Sequence, residues 1–337
     1  MSSTSQKVLK LLKEAGGGYV SGEKIAQKLG VTRCSVWKAV LQLKKEGNMI
    51  YSVTNKGYCL SFSPEMLEAE TIKANLTREF AGVDVKLIDS TGSTNAVLRA
   101  LADEGAPSGT VVIAREQTAG RGRQGKTFES ARDCGVYMSL LIRPALAADD
   151  VSFVTTLAGV AFCKAIAAST ELKPGIKWTN DLVADGKKVG GILTELTMNM
   201  ESGRPAYCIV GVGVNTVTPP GGYDSSIRAI AGSIEELSGK APEPNMLAAS
   251  LIEHFYSAYF GSAPVKFGMA DETDWQRGYI IDEARELSAV IGQEVEVTTA
   301  KETFRGIAID ISDTGSLIVS SDGEFREFRF GEVHVAL

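Results

Sequence analysis

At 337 residues, with 44% hydrophobic and 23% charged side chains, the chain has a soluble globular composition and the length for two or three domains. Its five cysteines, at 34, 59, 134, 163 and 208, are odd in number and scattered, which excludes a disulfide framework and fits free thiols in a reducing cytosol. Only two histidines occur, His254 and His334, far apart; a histidine-based triad or histidine-rich zinc site is excluded, and chemistry must run on carboxylates, lysines, arginines and bound metal.

The opening MSSTSQKVLKLLKE lacks the apolar core and cleavage site of a signal peptide. Residues 6–14, 21–29 and 32–46 read as three short amphipathic helices. Val8, Leu11 and Leu12 share one apolar face, Ile25, Ala26 and Leu29 a second, and Val36, Val40, Leu41 and Leu43 a third. Gly16-Gly17-Gly18 ends the first helix, Ser21 opens the second with Glu23 in its first turn, and Thr32 caps the third. Two strands near 49–53 and 57–61, joined at Asn55-Lys56-Gly57, add a β-hairpin wing, completing a winged helix-turn-helix pattern over 1–63.

Charge marks this module off from the rest. Residues 1–63 hold 10 Lys+Arg against 3 Asp+Glu, a net +7; the remainder holds 25 against 38, a net −13. A basic head on an acidic body is an anion-binding module. On the third helix Thr32, Arg33, Ser35, Lys38 and Gln42 suit base edges, and Lys44, Lys45 and Lys56 suit phosphates. The bland alternative for this fold is a protein-interaction module.

Ser61 to Glu70, with Pro64, reads as a linker. Strand-like runs follow near 83–89, 109–115, 135–142, 187–196 and 206–213, with helical runs near 94–104, 149–169 and 245–260. Adjacent strand pairs in this order imply a mixed α/β or α+β domain over 68–284 rather than a doubly wound one. Val151 to Ala168 is apolar but interrupted by Lys164, Ser and Thr, so it reads as a buried helix and not a membrane span. From 285 to 337 short strands punctuated by Asp313-Thr314-Gly315 and Asp322-Gly323 read as a small SH3-like β-barrel.

Gly120-Arg121-Gly122-Arg123-Gln124-Gly125-Lys126-Thr127 matches the text of both a P-loop and a dinucleotide fingerprint. Both need a helix directly after, and here about eight polar or small residues precede another strand; a solvated loop is the bland alternative. Arg121, Arg123 and Lys126 nevertheless concentrate cations suited to a polyphosphate or carboxylate. Three further segments stand out: Ser93-Thr94-Asn95, which alone fits an N-cap; Lys177-Trp178-Thr179-Asn180-Asp181, which alone fits a turn; and Lys187-Lys188-Val189-Gly190-Gly191, which alone fits a hairpin with a bulge.

Their order carries more than any one of them. S-T-N at 93, Q-x-A-G-R-G-R at 117, K-W-x-N-D at 177, K-x-G-G-I-L-x-E at 188 and G-x-G-x-N at 211 together resemble the biotin protein ligases, specifically the bifunctional bacterial type that also represses biotin genes. The resemblance spans essentially the whole chain. It implies that biotin and ATP give biotinyl-5′-AMP and pyrophosphate, and that a lysine of a biotin carboxyl carrier protein then takes the biotin and releases AMP.

The resemblance also implies roles. Ser93, Thr94, Asn95, Gln117, Gly120, Arg121, Gly122, Arg123, Lys188, Gly211 and Gly213 bind biotin; Arg121, Arg123, Phe128, Lys177, Asn180 and Asn215 take ATP, with Asn215 and Phe128 at the adenine. Lys188, Arg123, Asp181 and Lys177 carry catalysis, and Asp181 holds Mg²⁺. It further implies operator DNA as a partner, biotinyl-AMP as corepressor, a ligand-promoted homodimer, a cytoplasmic location and no membrane. Three positions depart from the family pattern: Thr179 stands for the usual Pro, Phe128 for Trp, and Asp133-Cys134 for a small pair containing Gly, so the far end of the loop is expected to close differently. The loop from Gln117 to Asp133 is expected to be mobile and self-repelling until an anionic ligand orders it. Two rivals are weaker: a lipoate–protein ligase, whose own arginine–glycine signature with a following His-Asp is absent, and a ligand-sensing repressor, which needs neither Lys188 nor Asp181.

Overall fold

The computed structural model describes residues 3–15, 19–45, 48, 50–53, 57–60, 66–144, 150–199, 201, 205–299 and 302–335. They fall into two compact units, Met1–Pro64 with Thr218–Asp224, and Glu65–Val217 with Ser225–Leu337.

In the first unit α1 (Thr4–Glu14) starts earlier than its apolar pattern, because Ser3 and Gln6 form a reciprocal capping box. Helix α2 (Gly22–Leu29) is capped by Ser21, whose Oγ accepts from Lys24 N at 3.1 Å, and stops at left-handed Gly30. Helix α3 (Arg33–Lys45) packs Val36, Ala39, Val40 and Leu43 onto Val8, Leu12 and Ile25. Leu41, expected in this core, is instead 40% exposed. The 36, 39, 40, 43 spacing is one helical face, and residue 41 lies a further 100° around it, so Ala39 fills the expected place. Strands β1 (Ile50–Val53) and β2 (Gly57–Leu60) form the antiparallel wing, and Val20 adds a rung by exchanging backbone hydrogen bonds with Tyr58. The turn residues Asn55 and Lys56, and the first helix's Gly16-Gly17-Gly18, lie outside the described residues.

The second unit begins with α4 (Ala69–Asn75), inside what reads as linker at its start. Asn245 tethers it by accepting from Glu68 N at 2.8 Å. Then come β3 (Asp84–Ile88), α5 (Thr94–Asp103), β4 (Thr110–Ala114), β5 (Gly135–Ile142), α6 (Val151–Ser169), β6 (Gly175–Lys177), β7 (Asp181–Ala184), β8 (Lys187–Met198), β9 (Pro205–Asn215), α7 (Ile234–Ser238), α8 (Pro244–Phe260) and α9 (Arg277–Glu286). The strands form one sheet in the order β3-β4-β5-β9-β8-β7-β6, with only β3 and β4 parallel. A mixed sheet is therefore present, as its adjacent strand pairs imply.

Helices α6, α8 and α9 bury one face of this sheet in a core that includes Phe153, Phe162, Phe255 and Ile281. Ser152–Ser169 is long and apolar enough to cross a membrane, but packs here as a core helix against α8 and β8. On the opposite face α5 covers Val112, Leu141, Tyr207 and Ile209 through Leu98 and Ala102. The last strands, β10 (Glu294–Thr298), β11 (Thr303–Ile311), β12 (Leu317–Ser321), β13 (Glu324–Phe328) and β14 (Glu332–Val335), make an antiparallel sheet ordered β13-β12-β11-β10-β14. This is the expected small barrel; its core is Val290, Val295, Val297, Ala308, Leu317, Val319, Phe328 and Val333, with one side chain from outside, Trp178.

Candidate active site and DNA-reading face

Beside α5 the sheet carries small residues where its other face carries large ones. Register places Ser139 of β5 opposite Gly211 of β9, Gly211 opposite Leu193 of β8, and Gly213 opposite Gly191. Onto this floor the start of α5 sets Ser93, Thr94 and Asn95, all buried. Ser93 occupies the N-cap position without a side-chain cap bond, so its hydroxyl is not spent on the helix. Gln117 Oε1 accepts from Thr94 N at 2.9 Å and Thr94 Oγ1 at 3.1 Å, while Gln117 Nε2 donates to Ser130 Oγ at 2.9 Å.

Asn95 is wholly engaged. Its Nδ2 donates to Glu195 Oε2 at 2.7 Å and Leu193 O at 3.3 Å, and its Oδ1 accepts from Ser139 Oγ at 2.5 Å. Gly211 exists to admit it: a Cβ there would stand 2.3 Å from Asn95 Oδ1. At Gly213 a Cβ would meet Phe128 Cε1 at 2.4 Å, so this glycine admits the Phe128 ring. The two glycines thus make room for protein groups, which is a different use from open approach of a ligand to the backbone.

The Gln117–Asp133 loop is a hairpin. Gln117 N donates to Ser130 O at 3.2 Å, Phe128 N to Gly120 O at 2.9 Å, and Gly122 N to Lys126 O at 2.7 Å. No helix follows it, only β5, which excludes the P-loop and dinucleotide matches. Self-repulsion is not its condition here. Arg123 donates to Thr179 Oγ1 and to Asn180 Oδ1, and Lys126 pairs with Glu332 of β14 at 2.6 Å. Burial pulls Arg123 below the usual guanidinium range, an effect Asp181 and Glu332 oppose. Arg121 is exposed. At the far end Asp133 adopts φ 56°, a conformation that favours the glycine usual nearby, and its carboxylate binds Arg115 Nε at 2.8 Å. Burial pushes the neighbouring Cys134 thiol up to about 12, leaving no thiolate nucleophile in this wall.

Strands β6 and β7 oppose Lys177 to Asp181 across the turn that carries Trp178, Thr179 and Asn180. Asn180 exchanges with β8, its Nδ2 donating to Ile192 O and its carbonyl accepting from Ile192 N, both at 2.9 Å. Lys188 Nζ lies 2.6 Å from Asp181 Oδ1 and 5.9 Å from the Phe128 ring centre. A strap absent from the sequence reading fixes its backbone: Lys188 N donates to Ile230 O at 2.7 Å and Gly232 N to Lys188 O at 2.9 Å. Asn215 Nδ2 reaches the same strap at Gly232 O, 3.0 Å away. Lys188, Asp181, Arg123, Asn180 and Phe128 therefore converge beside the small-residue floor, with Lys177 at its margin.

Residues 4–59 match the HTH domain family, 87–215 the Biotin/lipoate A/B protein ligase family, and 290–335 the Biotin protein ligase C terminal domain. The bifunctional ligase/repressor BirA of Bacillus subtilis (strain 168) is 32% identical over 345 residues, covering 99% of this chain and 100% of that protein. The chain belongs to the bifunctional biotin ligase/repressor family. The Escherichia coli (strain K12) ligase/repressor is 27% identical over 332 residues, spanning 97% of this chain and 95% of its own. The fold recurs in a biotin protein ligase from Aquifex aeolicus solved with biotin and ATP, at TM-score 0.60 and 21% identity, over 75% of this chain and 98% of that one.

In this ligase/repressor the winged-helix residues divide in two. Thr32 Oγ1 accepts from Ser35 N at 3.1 Å and the two hydroxyls lie 2.9 Å apart, so both serve the cap of α3. Arg33, Lys38, Gln42, Lys44 and Lys45 are exposed along it. Lys56 lies outside the described residues. Sequence reasoning missed Ser130, Ser139, Arg115 and the 230–232 strap, and gave Glu195, the last position of the motif at 188, no role. Of the missed residues Ser139 left a signal, as the one serine inside the apolar run of β5.

Proposed function

We propose that the floor beside α5 binds biotin and that the adjoining charge cluster binds ATP. Ser93, Thr94 and Gln117 face the ureido head, with Asn95 acting through Ser139 and Glu195 to position them. Arg121 and Arg123 on the Gly120–Gly122 loop hold carboxylate and phosphate. Phe128 and Asn215 take the adenine side, and Lys177 and Asn180 the polyphosphate side. The reaction is activation of biotin and its transfer: a biotin carboxylate oxygen attacks the α-phosphorus and expels pyrophosphate, then a carrier-protein lysine amine attacks the acyl carbon and expels AMP. No enzyme nucleophile is required, and the work is positioning and stabilisation of phosphoryl charge.

The observation that carries this reading is the convergence of Lys188, Asp181 and Arg123 on one rim of the small-residue floor. Among the described residues no three His, Cys, Asp or Glu side chains converge. Asp181 would hold Mg²⁺, whose charge would offset that of the phosphates. The deciding assay is biotin-dependent pyrophosphate–ATP exchange, which the wild type should catalyse and Lys188→Ala should lose.

We assign residues 1–63 to operator binding, 68–284 to the ligase domain and 285–337 to the barrel. The acceptor is a biotin carboxyl carrier protein, the location cytoplasmic, and biotinyl-AMP promotes a homodimer that sets two winged helices on a two-fold operator.

A further inference from the structure

Helix α3 exposes two large apolar side chains that its DNA-reading assignment does not use: Trp37 is 51% exposed and Leu41 40%. Arg33, Trp37 and Leu41 follow at four-residue steps, so they form one ridge, and Lys44 extends it one turn further. Lys38, Gln42 and Lys45 form the ridge alongside. The apolar pair is thus bracketed by cations at both ends and flanked by them on one side.

We propose that Trp37 and Leu41 read thymine C5-methyl groups in the major groove, a specificity-determining contact that rests on the DNA-binding assignment of the winged helix. A major groove admits one helix, and the thymine methyl is the only apolar mark a base pair displays there. Two side chains on one helical ridge bury far too little surface for a stable protein partner, which needs about 800 Å² on each side. They match the size of one or two methyl groups. The bracketing Arg33, Lys38, Lys44 and Lys45, on a module of net charge +7, match the phosphates on either rim of the groove. Lysine and arginine hold the helix in register, and the apolar ridge supplies the sequence preference.

The test uses the full-length chain. Duplexes are selected from a random pool with biotin and ATP present, and the tightest is remade with deoxyuridine in place of thymidine, which removes only the methyl groups. Wild-type binding should weaken about fourfold for each methyl that the ridge buries. Trp37→Gln, checked for folding by circular dichroism, should bind both duplexes alike while keeping the steep salt dependence; Trp37→Phe should retain the thymine preference. A wild type indifferent to the methyl groups overturns the proposal alone, as does Trp37→Gln with its preference intact. Altered self-association by Trp37→Gln without loss of that preference assigns the ridge to a second copy and also overturns it. A wild type that enriches no duplex removes the DNA assignment and this inference together.

Discussion

Trp178 sits in the middle of the turn that carries Lys177, Asn180 and Asp181, yet its ring is 5% exposed in the core of the small barrel. Its Nε1 donates to Gly315 O at 3.0 Å. Trp178→Ala empties that socket, which costs about 3–5 kcal/mol for a buried aromatic. Loss of the indole hydrogen bond adds about 1 kcal/mol. The barrel then loses its hold on the turn, and a displacement of roughly 1 Å at Asn180 and Asp181 lowers exchange turnover about 100-fold. Trp178→Phe keeps a ring in the socket and should lose only about 1–2 kcal/mol while retaining most exchange activity. Urea unfolding followed by far-ultraviolet circular dichroism gives the stability. Biotin-dependent pyrophosphate–ATP exchange, normalised to folded protein, gives the turnover. Wild-type stability in the alanine variant would refute the packing argument. Reduced stability with undiminished exchange would refute the claim that the barrel positions the turn.

Lys188→Ala should fold normally and lose roughly 100- to 1000-fold in adenylation, as for removal of a donor to developing charge; near-normal exchange would sink that role. Gly211→Ala drives a Cβ to 2.3 Å from Asn95 Oδ1, so the Asn95–Ser139–Glu195 network must shift and the KM for biotin should rise more than that for ATP. The hydrogen bond from Lys126 is the main cause holding Glu332 below the ordinary glutamate range, so the pair's contribution is full above that range and fades as pH falls through the lowered folded-state value. Limited proteolysis within the loop should accordingly increase in acid, and Glu332→Gln should show the same cleavage at neutral pH. A DNA titration should tighten from no ligand to biotin to biotin plus ATP by a coupling of about 1–3 kcal/mol; three coincident midpoints would refute the corepressor role.

Much of this was legible in the sequence because local rules act without competition there. Period-3.6 patterning places α1, α2 and α3, and long apolar runs place β5, β8 and β9. Strands β6 and β7 escape because 3–4 residues carry too little periodicity, and α4 hides behind a proline-containing stretch. Lys188, Asp181, Arg123, Asn180 and Phe128, distant in the chain, come together at one rim of the sheet. Their partners left little signal, because Ser139 and Gly232 reach the site through sheet register and a backbone strap rather than through spacing along the chain. Leu41 was misplaced for a simpler reason, being apolar and adjacent to a buried face without belonging to it.

Three cations of the site have protein partners, and this bears on how ligand binding can be coupled to anything else. Lys188 is paired with Asp181, Arg123 with Thr179 and Asn180, and Lys126 with Glu332. At Lys188, Arg123 and Lys126 an incoming carboxylate or phosphate would therefore compete with these partners. Were Asp181 to hold a metal, Lys188 would be freed for phosphate. Were Arg123 to hold the ligand, the hairpin would give up its bonds to the 178–181 turn, which Trp178 seats in the barrel. Phe128 lies on the same path, resting on Gly213 with Lys188 above its ring. Each exchange would move a side chain whose partner is anchored in a strand or the barrel, so occupancy of the site would become a choice between discrete pairings. Alternative pairings of this kind are what a coupling of a few kcal/mol would require, and they would not need the loop to pass from disorder to order.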